Sequence, residues 1–113
     1  MKTVNVLGTD YKIFYRSIND DETLDICDGY VDWTTKEIVV RFEIDKEKDS
    51  LNDMNCYVKK VLRHEIVHAF LFESGLAESS GETEAWAKNE EMVDWFARQG
   101  EKIYKAWEEA EAL

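Results

Sequence analysis

Residues 61–75 read Val-Leu-Arg-His-Glu-Ile-Val-His-Ala-Phe-Leu-Phe-Glu-Ser-Gly, and this stretch decides the fold. Its apolar residues recur with the 3.6-residue period of an α-helix, and in its second half they cover nearly the whole circumference. A helix of that kind needs cover on both sides. Ser50 with Asp53 resembles a helix N-cap pair and Gly75 a C-terminal stop, so the pattern predicts one central helix of about 23 residues.

The residues before this helix alternate apolar with polar side chains, which is the pattern of strands that place one face on a core. The alternation covers residues 3–6, 11–16 and 38–43. Residues 29–33 and 37–43 are rich in β-branched and aromatic side chains and flank Thr34-Thr35-Lys36, so this part predicts a hairpin. Residues 19–25 are acidic and without pattern, and we expect a loop or a short helical turn there.

Two further helices are predicted after the central one. Residues 77–81 form a polar link, and Ser79 with Glu82 matches a capping box for a helix that extends to about Arg98. Gln99-Gly100 interrupts the period, and residues 101–111 predict a third, short helix. We therefore expect an α+β fold: a small, mostly antiparallel N-terminal sheet packed on the long helix, with two C-terminal helices on the other side. The length predicts a single domain over residues 1–113.

The charge balance is strongly acidic, with 14 lysines and arginines against 25 aspartates and glutamates and a formal net charge of −11. Such a surface repels a nucleic-acid backbone or an anionic membrane, because both are bound through clustered basic residues. No stretch approaches the roughly 18 apolar residues of a membrane span, and no signal-peptide pattern is present. We expect a cytoplasmic protein that binds neither nucleic acid nor membrane, with Cys27 and Cys56 reduced.

The two histidines of the chain, His64 and His68, form the pattern HExxH with Glu65. A spacing of four places both imidazoles on one face of a helix, where each can offer a nitrogen to one zinc ion. Glu65 lies beside them, within reach of a metal-bound water. The alternative is a pair of core histidines satisfied by hydrogen bonds. Two imidazoles and a carboxylate on a helix covered on both sides are costly without a metal or strong partners, which favours the metal site.

A catalytic zinc site needs a third protein ligand and an open position for water. Seven downstream acidic residues are candidates: Glu73, Glu78, Glu82, Glu84, Glu90, Glu91 and Asp94. Glu90 is favoured because it shares a helical stripe with Trp86 and Val93, where a glutamate is costly unless it binds a cation. Asp94, one turn later, is placed to accept the second N–H of His64. The same ligands also suit iron, but an HExxH helix favours zinc.

HExxH at residues 64–68, followed by Asn89-Glu90-Glu91-Met92-Val93-Asp94, resembles the HExxH plus NExxxD signature of the gluzincin metallopeptidases. Over residues 36–98 the chain is similar to the minigluzincins and to the compact ImmA/IrrE-type peptidases of phages and mobile elements. The resemblance implies a zincin-like fold in which His64, His68 and Glu90 bind Zn²⁺. Glu65 would be the general base, and Asp94 would orient a histidine ligand. The strand over residues 37–42 would be a sheet edge that aligns an extended peptide.

The chain departs from this family in one respect. Thermolysin-like gluzincins stabilise the tetrahedral oxyanion with a further histidine or a tyrosine, and this chain has no third histidine. Tyr57, two turns before His64, and Tyr104 in the last predicted helix are the candidate phenols. An ordinary amphipathic packing role is the favoured alternative for each, so the oxyanion stabiliser stays open.

These residues predict a zinc-dependent endopeptidase in which Glu65 takes a proton from the metal-activated water and passes it to the leaving amine. The expected substrate is a peptide or protein, for instance a regulatory protein such as a repressor. Two other interpretations are open: a regulatory protein-binding module that keeps a zinc site with little or no turnover, and a zinc-free helical interaction domain. Metal content separates the last from the others, and Glu65→Gln separates the peptidase from the binding module.

Overall fold

The described part of the chain combines four strands with two long helices. The structure is a computed structural model that describes residues 2–42, 54–79 and 90–113. Its strands are β1 (Lys2–Val6), β2 (Thr9–Arg16), β3 (Gly29–Asp32) and β4 (Glu37–Arg41), with a short 3₁₀ helix (Glu22–Asp25) between β2 and β3. Its helices are α1 (Met54–Glu73), α2 (Leu76–Ser79) and α3 (Glu90–Glu109). The predicted α+β fold and the helical turn before β3 are confirmed.

The strands form one mixed sheet in the order β1-β2-β4-β3. The pairs β1–β2 and β3–β4 are antiparallel, whereas β2 and β4 run parallel. The sheet is therefore mostly antiparallel, and the hairpin predicted around residues 34–36 is confirmed. The β1–β2 connection is a two-residue turn in which Leu7 and Gly8 have φ of 51° and 92°. Positive φ at both central positions is typical of a type I′ turn.

The strand expected to be the substrate-aligning edge lies inside the sheet. Ile38 of β4 is paired with Ile13 of β2 on one side and with Val31 of β3 on the other. Ile38, Val39 and Val40 are all fully buried, as expected for a strand covered on both faces. The prediction that residues 37–42 form an edge is therefore wrong, because it rested on the family resemblance and not on strand order. Of the described strands, β1 and β3 form the edges.

The core lies between one face of the sheet and the two long helices. Its buried residues come alternately from β1, β2 and β4, from one face of α1 and from the C-terminal segment: Val4, Val6, Tyr11, Ile13, Ile38, Val40, Leu62, Ile66, Ala69, Phe70, Ile103, Ala106, Ala110 and Ala112. The alternation therefore marked the buried face of the strands correctly. Tyr15 and Phe42, which continue the same pattern, are exposed. Within the described ranges, no helix has the length and apolar character needed to cross a membrane.

Helix α1 ends as the sequence predicts. Gly75 has φ of +82°, and its N–H donates to the Phe72 carbonyl oxygen at 3.2 Å. A left-handed residue directly after the last turn is a common helix stop, and glycine adopts it without steric cost. The predicted N-cap at Ser50 and Asp53 lies outside the described residues.

Helix α3 is continuous through Gln99 and Gly100 for 20 residues. The predicted break at this point, with a separate helix over residues 101–111, is wrong. A single glycine costs a helix only about 1 kcal/mol relative to alanine. Trp95 before the glycine and Ile103 after it both pack against the same core, and this packing outweighs the cost. The predicted capping box at residues 79–82 lies outside the described residues.

The two long helices run antiparallel. The Trp95 indole N–H donates to the Ser74 hydroxyl oxygen at 3.2 Å, near the end of α1. Twelve residues later, the Trp107 indole N–H donates to the Arg63 carbonyl oxygen at 3.3 Å. The start of α3 therefore lies level with the end of α1, and the end of α3 lies level with the HExxH turn.

Candidate metal centre

Helix α1 separates the HExxH side chains by exposure. His64 and His68 are exposed, whereas Glu65 is 6% exposed. Ile66, the next residue, is fully buried in the core. The expectation that this helix is covered on both sides is therefore wrong at the histidine face. The histidines face outward, and the glutamate lies at the boundary with the sheet.

The two imidazoles already have the spacing of ligands that share an ion. His64 Nε2 and His68 Nε2 are 3.1 Å apart, and the ring planes meet at 70°. Two nitrogens bound tetrahedrally to zinc at about 2.05 Å are separated by about 3.3 Å. One donor atom from each of His64, Glu65 and His68 lies within 4.8 Å of the others, and these three form the cluster found in the described part of the chain. The donor set fits a divalent metal.

Burial shifts the pKa of the Glu65 carboxyl and of the His68 imidazole in this cluster. It raises the pKa of Glu65 from 4.5 to about 7, and the described residues provide no hydrogen bond that opposes this shift. A carboxyl with a pKa near neutrality can both accept and release a proton. Burial, followed by the neighbouring His64, lowers the pKa of His68. His68 is therefore neutral at physiological pH, which is the form that binds metals.

A cavity of about 310 Å³ opens beside His64 and Glu65. Residues 27–29 line it on the sheet side, and Tyr57, Lys60 and Val61 line it on the α1 side. Gly29 makes the close contact between these two sides possible. A Cβ added there would lie 2.9 Å from Val61 Cγ1 and 3.2 Å from Glu65 Cγ. A residue with a side chain would therefore hold β3 away from the helix that carries the metal cluster.

Of the two candidate phenols, the structure brings only Tyr57 to this cavity. Its hydroxyl donates to the Asp28 carboxylate. That hydrogen bond, together with burial, raises the pKa of Tyr57, so the phenol stays protonated. Tyr104 is exposed on α3 and is not among the residues that line the cavity.

The structure does not bring Asp94 to His64. The Asp94 carboxylate is exposed and accepts from Arg98 Nε at 2.9 Å. Its neighbour Trp95 contacts Ser74, which is ten residues, or about 15 Å of helix, beyond His64. Glu90 is the first residue of α3, but its side chain lies outside the described part of the chain. The roles of Glu90 as a ligand and of Asp94 as the partner of His64 stay predictions.

Glu73, another candidate ligand, has a different role that the sequence did not reveal. Its carboxylate accepts from the Tyr11 hydroxyl and from Lys36 Nζ, each at 2.6 Å, and from the Thr9 hydroxyl at 3.3 Å. Burial acts to raise the pKa of Glu73, but these hydrogen bonds outweigh it and the pKa is lowered. The cluster ties β2 and the β3–β4 turn to the end of α1. A glutamate in the last turn of a helix opposes the helix dipole, and this was the available signal that it has partners elsewhere.

Comparison with known proteins gave no match to a family model, a curated protein or a solved structure. The cluster of His64, Glu65 and His68 is compatible with a zincin. The resemblance to zincins therefore rests on this cluster and on the sequence motifs.

Proposed function

We propose that the protein is a zinc-dependent endopeptidase that hydrolyses peptide bonds in a peptide or protein substrate. One observation carries the proposal. Two imidazole nitrogens lie 3.1 Å apart beside a buried carboxyl with a pKa of about 7, at the mouth of a 310 Å³ cavity. A structural metal site normally closes all four positions with protein ligands and has no use for such a carboxyl.

Two residues of this site would handle protons. Glu65 would accept a proton from the attacking water and deliver it to the leaving amine, and its raised pKa suits both transfers. Tyr57 would donate a hydrogen bond from its hydroxyl to the oxyanion, exchanging its present acceptor Asp28 for the substrate. A bound zinc ion supplies a water of lowered pKa and polarises the scissile carbonyl. His64 and His68 would hold the ion. Glu90 is the predicted third ligand, and because the start of α3 lies level with the end of α1, Glu90 would have to move toward the histidines to bind.

Metal content tests the ligand set. We expect about one zinc per chain in the wild type, loss of zinc in Glu90→Ala, and retention in Glu91→Ala. Glu91 is the matched control because it is the adjacent glutamate on α3 and is exposed. Elemental analysis after dialysis against a weak chelator measures the stoichiometry. A wild-type protein that holds no metal even after zinc is supplied would overturn the proposal.

Turnover tests the chemistry separately. Wild-type protein should cleave unfolded casein, and Glu65→Gln should keep its zinc but lose cleavage, because the amide cannot act as a base. A regulatory binding module, the alternative, keeps zinc and cleaves nothing in either form. If Glu65→Gln cleaved as fast as the wild type, Glu65 would not be the base.

A further inference from the structure

β3 is the edge strand next to the metal cluster. Just before β3 begins, the Asp28 carbonyl oxygen accepts a hydrogen bond from the Arg41 N–H of β4 at 2.9 Å. In an antiparallel ladder the backbone groups of alternate residues point to opposite sides, so those of Gly29 and Val31 point away from β4. Among the described strands, none pairs with that side.

β3 follows α1 from the cavity to the end of the helix. At its start, Gly29 lies against Glu65. Just after its end, Trp33 stacks on Phe72, with ring centroids 6.2 Å apart and 25° between the planes. Phe72 comes one turn after His68 on α1. A chain bound to the free edge of β3 would therefore pass from the aromatic pair to the carboxyl of the site.

The aromatic pair is held in place but only partly covered. Trp33 is 45% exposed. Its turn is fixed by the Asp32 carboxylate, which accepts from the N–H groups of Thr34 and Thr35 at 3.0 and 3.2 Å. The turn is also fixed by Lys36, whose Nζ lies 2.6 Å from the Glu73 carboxylate. An exposed indole held by its neighbours is a preorganised apolar surface, so little entropy is lost when a side chain packs on it.

The family resemblance implies that a sheet edge aligns the substrate as an extended strand, and the described strand order leaves β3 as the edge beside the metal cluster. We propose that Trp33 and Phe72 select a large apolar side chain in a substrate that binds antiparallel to this edge. Antiparallel pairing is the more stable of the two orientations. Trp33 is four residues, or about 13 Å of strand, beyond Gly29. The selected residue therefore lies four positions N-terminal to the residue opposite Gly29. This inference rests on the proposed function and defines the substrate class of that site.

The geometry also restricts the spacing and charge of the substrate. Gly29 and Val31 of β3, and Trp33 just after its end, all lie on the side that meets α1. Directly opposed residues place their side chains on the same face, so an aromatic substrate residue meets Phe72 only at even spacings. The net charge of −11 repels acidic peptides. The expected substrate is an unfolded, neutral or basic segment with a large apolar residue.

Peptide binding to zinc-loaded Glu65→Gln protein tests the proposal without turnover. The probes are nonapeptides of alanine and serine with one lysine, labelled at the N-terminus and ending in a C-terminal hydroxamate that binds the zinc and fixes the register, in which a single phenylalanine is moved stepwise along the chain. Fluorescence anisotropy should show affinity that alternates with phenylalanine position. Adding Trp33→Ala should weaken the best peptide about two- to tenfold, the range of one aromatic pair. Trp33→Phe should largely restore it.

Tyr15→Ala is the matched control. Tyr15 is a comparably exposed aromatic residue (41%) on β2, outside the edge strand, and its replacement should leave every affinity unchanged. No binding by any peptide, binding independent of phenylalanine position, or equal affinities in Trp33→Ala and its parent would each overturn the inference.

Cleavage-site mapping on unfolded casein separates this inference from the proposed function. If the wild type cleaves casein at positions that have aromatic residues enriched four residues earlier, that result supports both the peptidase proposal and the inference about Trp33 and Phe72. Enrichment on the C-terminal side would mean a parallel strand and would overturn the inference as stated. Cleavage without any effect of Trp33→Ala leaves the peptidase proposal standing and rejects the inference. If affinity alternates with phenylalanine position but the wild type cleaves nothing, the peptidase proposal is rejected and β3 is retained as a peptide-binding edge.

Discussion

Gly29→Ala tests whether the close approach of β3 to α1 builds the site. The added Cβ would lie 2.9 Å from Val61 Cγ1, 3.0 Å from the Val39 carbonyl oxygen and 3.2 Å from Glu65 Cγ. The Val61 side chain can rotate away. The Val39 carbonyl cannot, because it belongs to the interior strand β4 and any shift would disturb the ladder on both sides.

The expected cost combines two opposing contributions. Overpacking a close contact costs about 1–3 kcal/mol. Replacing glycine also reduces the entropy of the unfolded chain, which returns about 0.4–1 kcal/mol. The free energy of unfolding should therefore fall by about 1–2 kcal/mol, which lowers the Tm by about 4–8 °C for a chain of this size. Zinc affinity should fall as well, because the helix that carries the proposed ligands His64 and His68 is displaced from the rest of the site.

Urea denaturation measures the free energy of unfolding, and calorimetry measures the Tm. Gly100→Ala is the matched control. Gly100 lies inside α3, and a Cβ added there meets nothing within 4 Å. The same substitution should therefore stabilise the protein by about 0.5–1 kcal/mol. If Gly29→Ala were as stable as the wild type, or gained as much as Gly100→Ala, the reasoning that glycine is needed for this contact would be refuted.

Three further predictions follow from the same structure. Glu73→Gln should destabilise the protein by about 1–2 kcal/mol at pH 7. The difference in the free energy of unfolding should disappear as the pH falls through the lowered pKa of the Glu73 carboxyl in the folded state. A difference in urea titrations that does not depend on pH would contradict the ionic role of Glu73. Zinc at a hundredfold excess over its Kd should add about 2.7 kcal/mol of stability that EDTA removes. His68→Ala should show no such zinc-dependent shift in scanning fluorimetry, and an equal shift would exclude His68 as a ligand. Leu7→Asn should raise stability by about 1 kcal/mol, because asparagine tolerates the φ of 51° that strains leucine, and an unchanged Tm would show that the turn is unstrained.

The parts of the fold that local pattern controls were predictable. Alternation in β1 and β2 marked Val4, Val6, Tyr11 and Ile13 as the buried face, because each of these strands has one face on the core. In β4, alternation identified only one of the two faces that are buried. The run Ile38-Val39-Val40 is buried throughout, and three consecutive β-branched residues were the available sign of an interior strand.

The failures have a common cause, which is that tertiary packing outweighed a local signal. The sequence predicts a helix break at Gly100, yet the contacts of α3 with the core on both sides of it keep the helix continuous. The HExxH cluster was predictable because the helix itself sets the spacing of its side chains. The partners of that cluster were not, since the relative position of α1 and α3 depends on contacts such as Trp95 with Ser74, which are far apart in sequence.

β3 links the two halves of the proposed function. Gly29 at one end buries Glu65, the residue proposed to move protons, and Trp33 at the other end provides the surface proposed to select the substrate. A displacement of the whole strand should therefore affect zinc and peptide together, whereas removal of the indole should affect peptide alone. Gly29→Ala should weaken both zinc binding and peptide binding, and Trp33→Ala should weaken only peptide binding. If Trp33→Ala also reduced zinc affinity, the aromatic pair would support the metal centre itself, and recognition would have to be sought elsewhere on the protein.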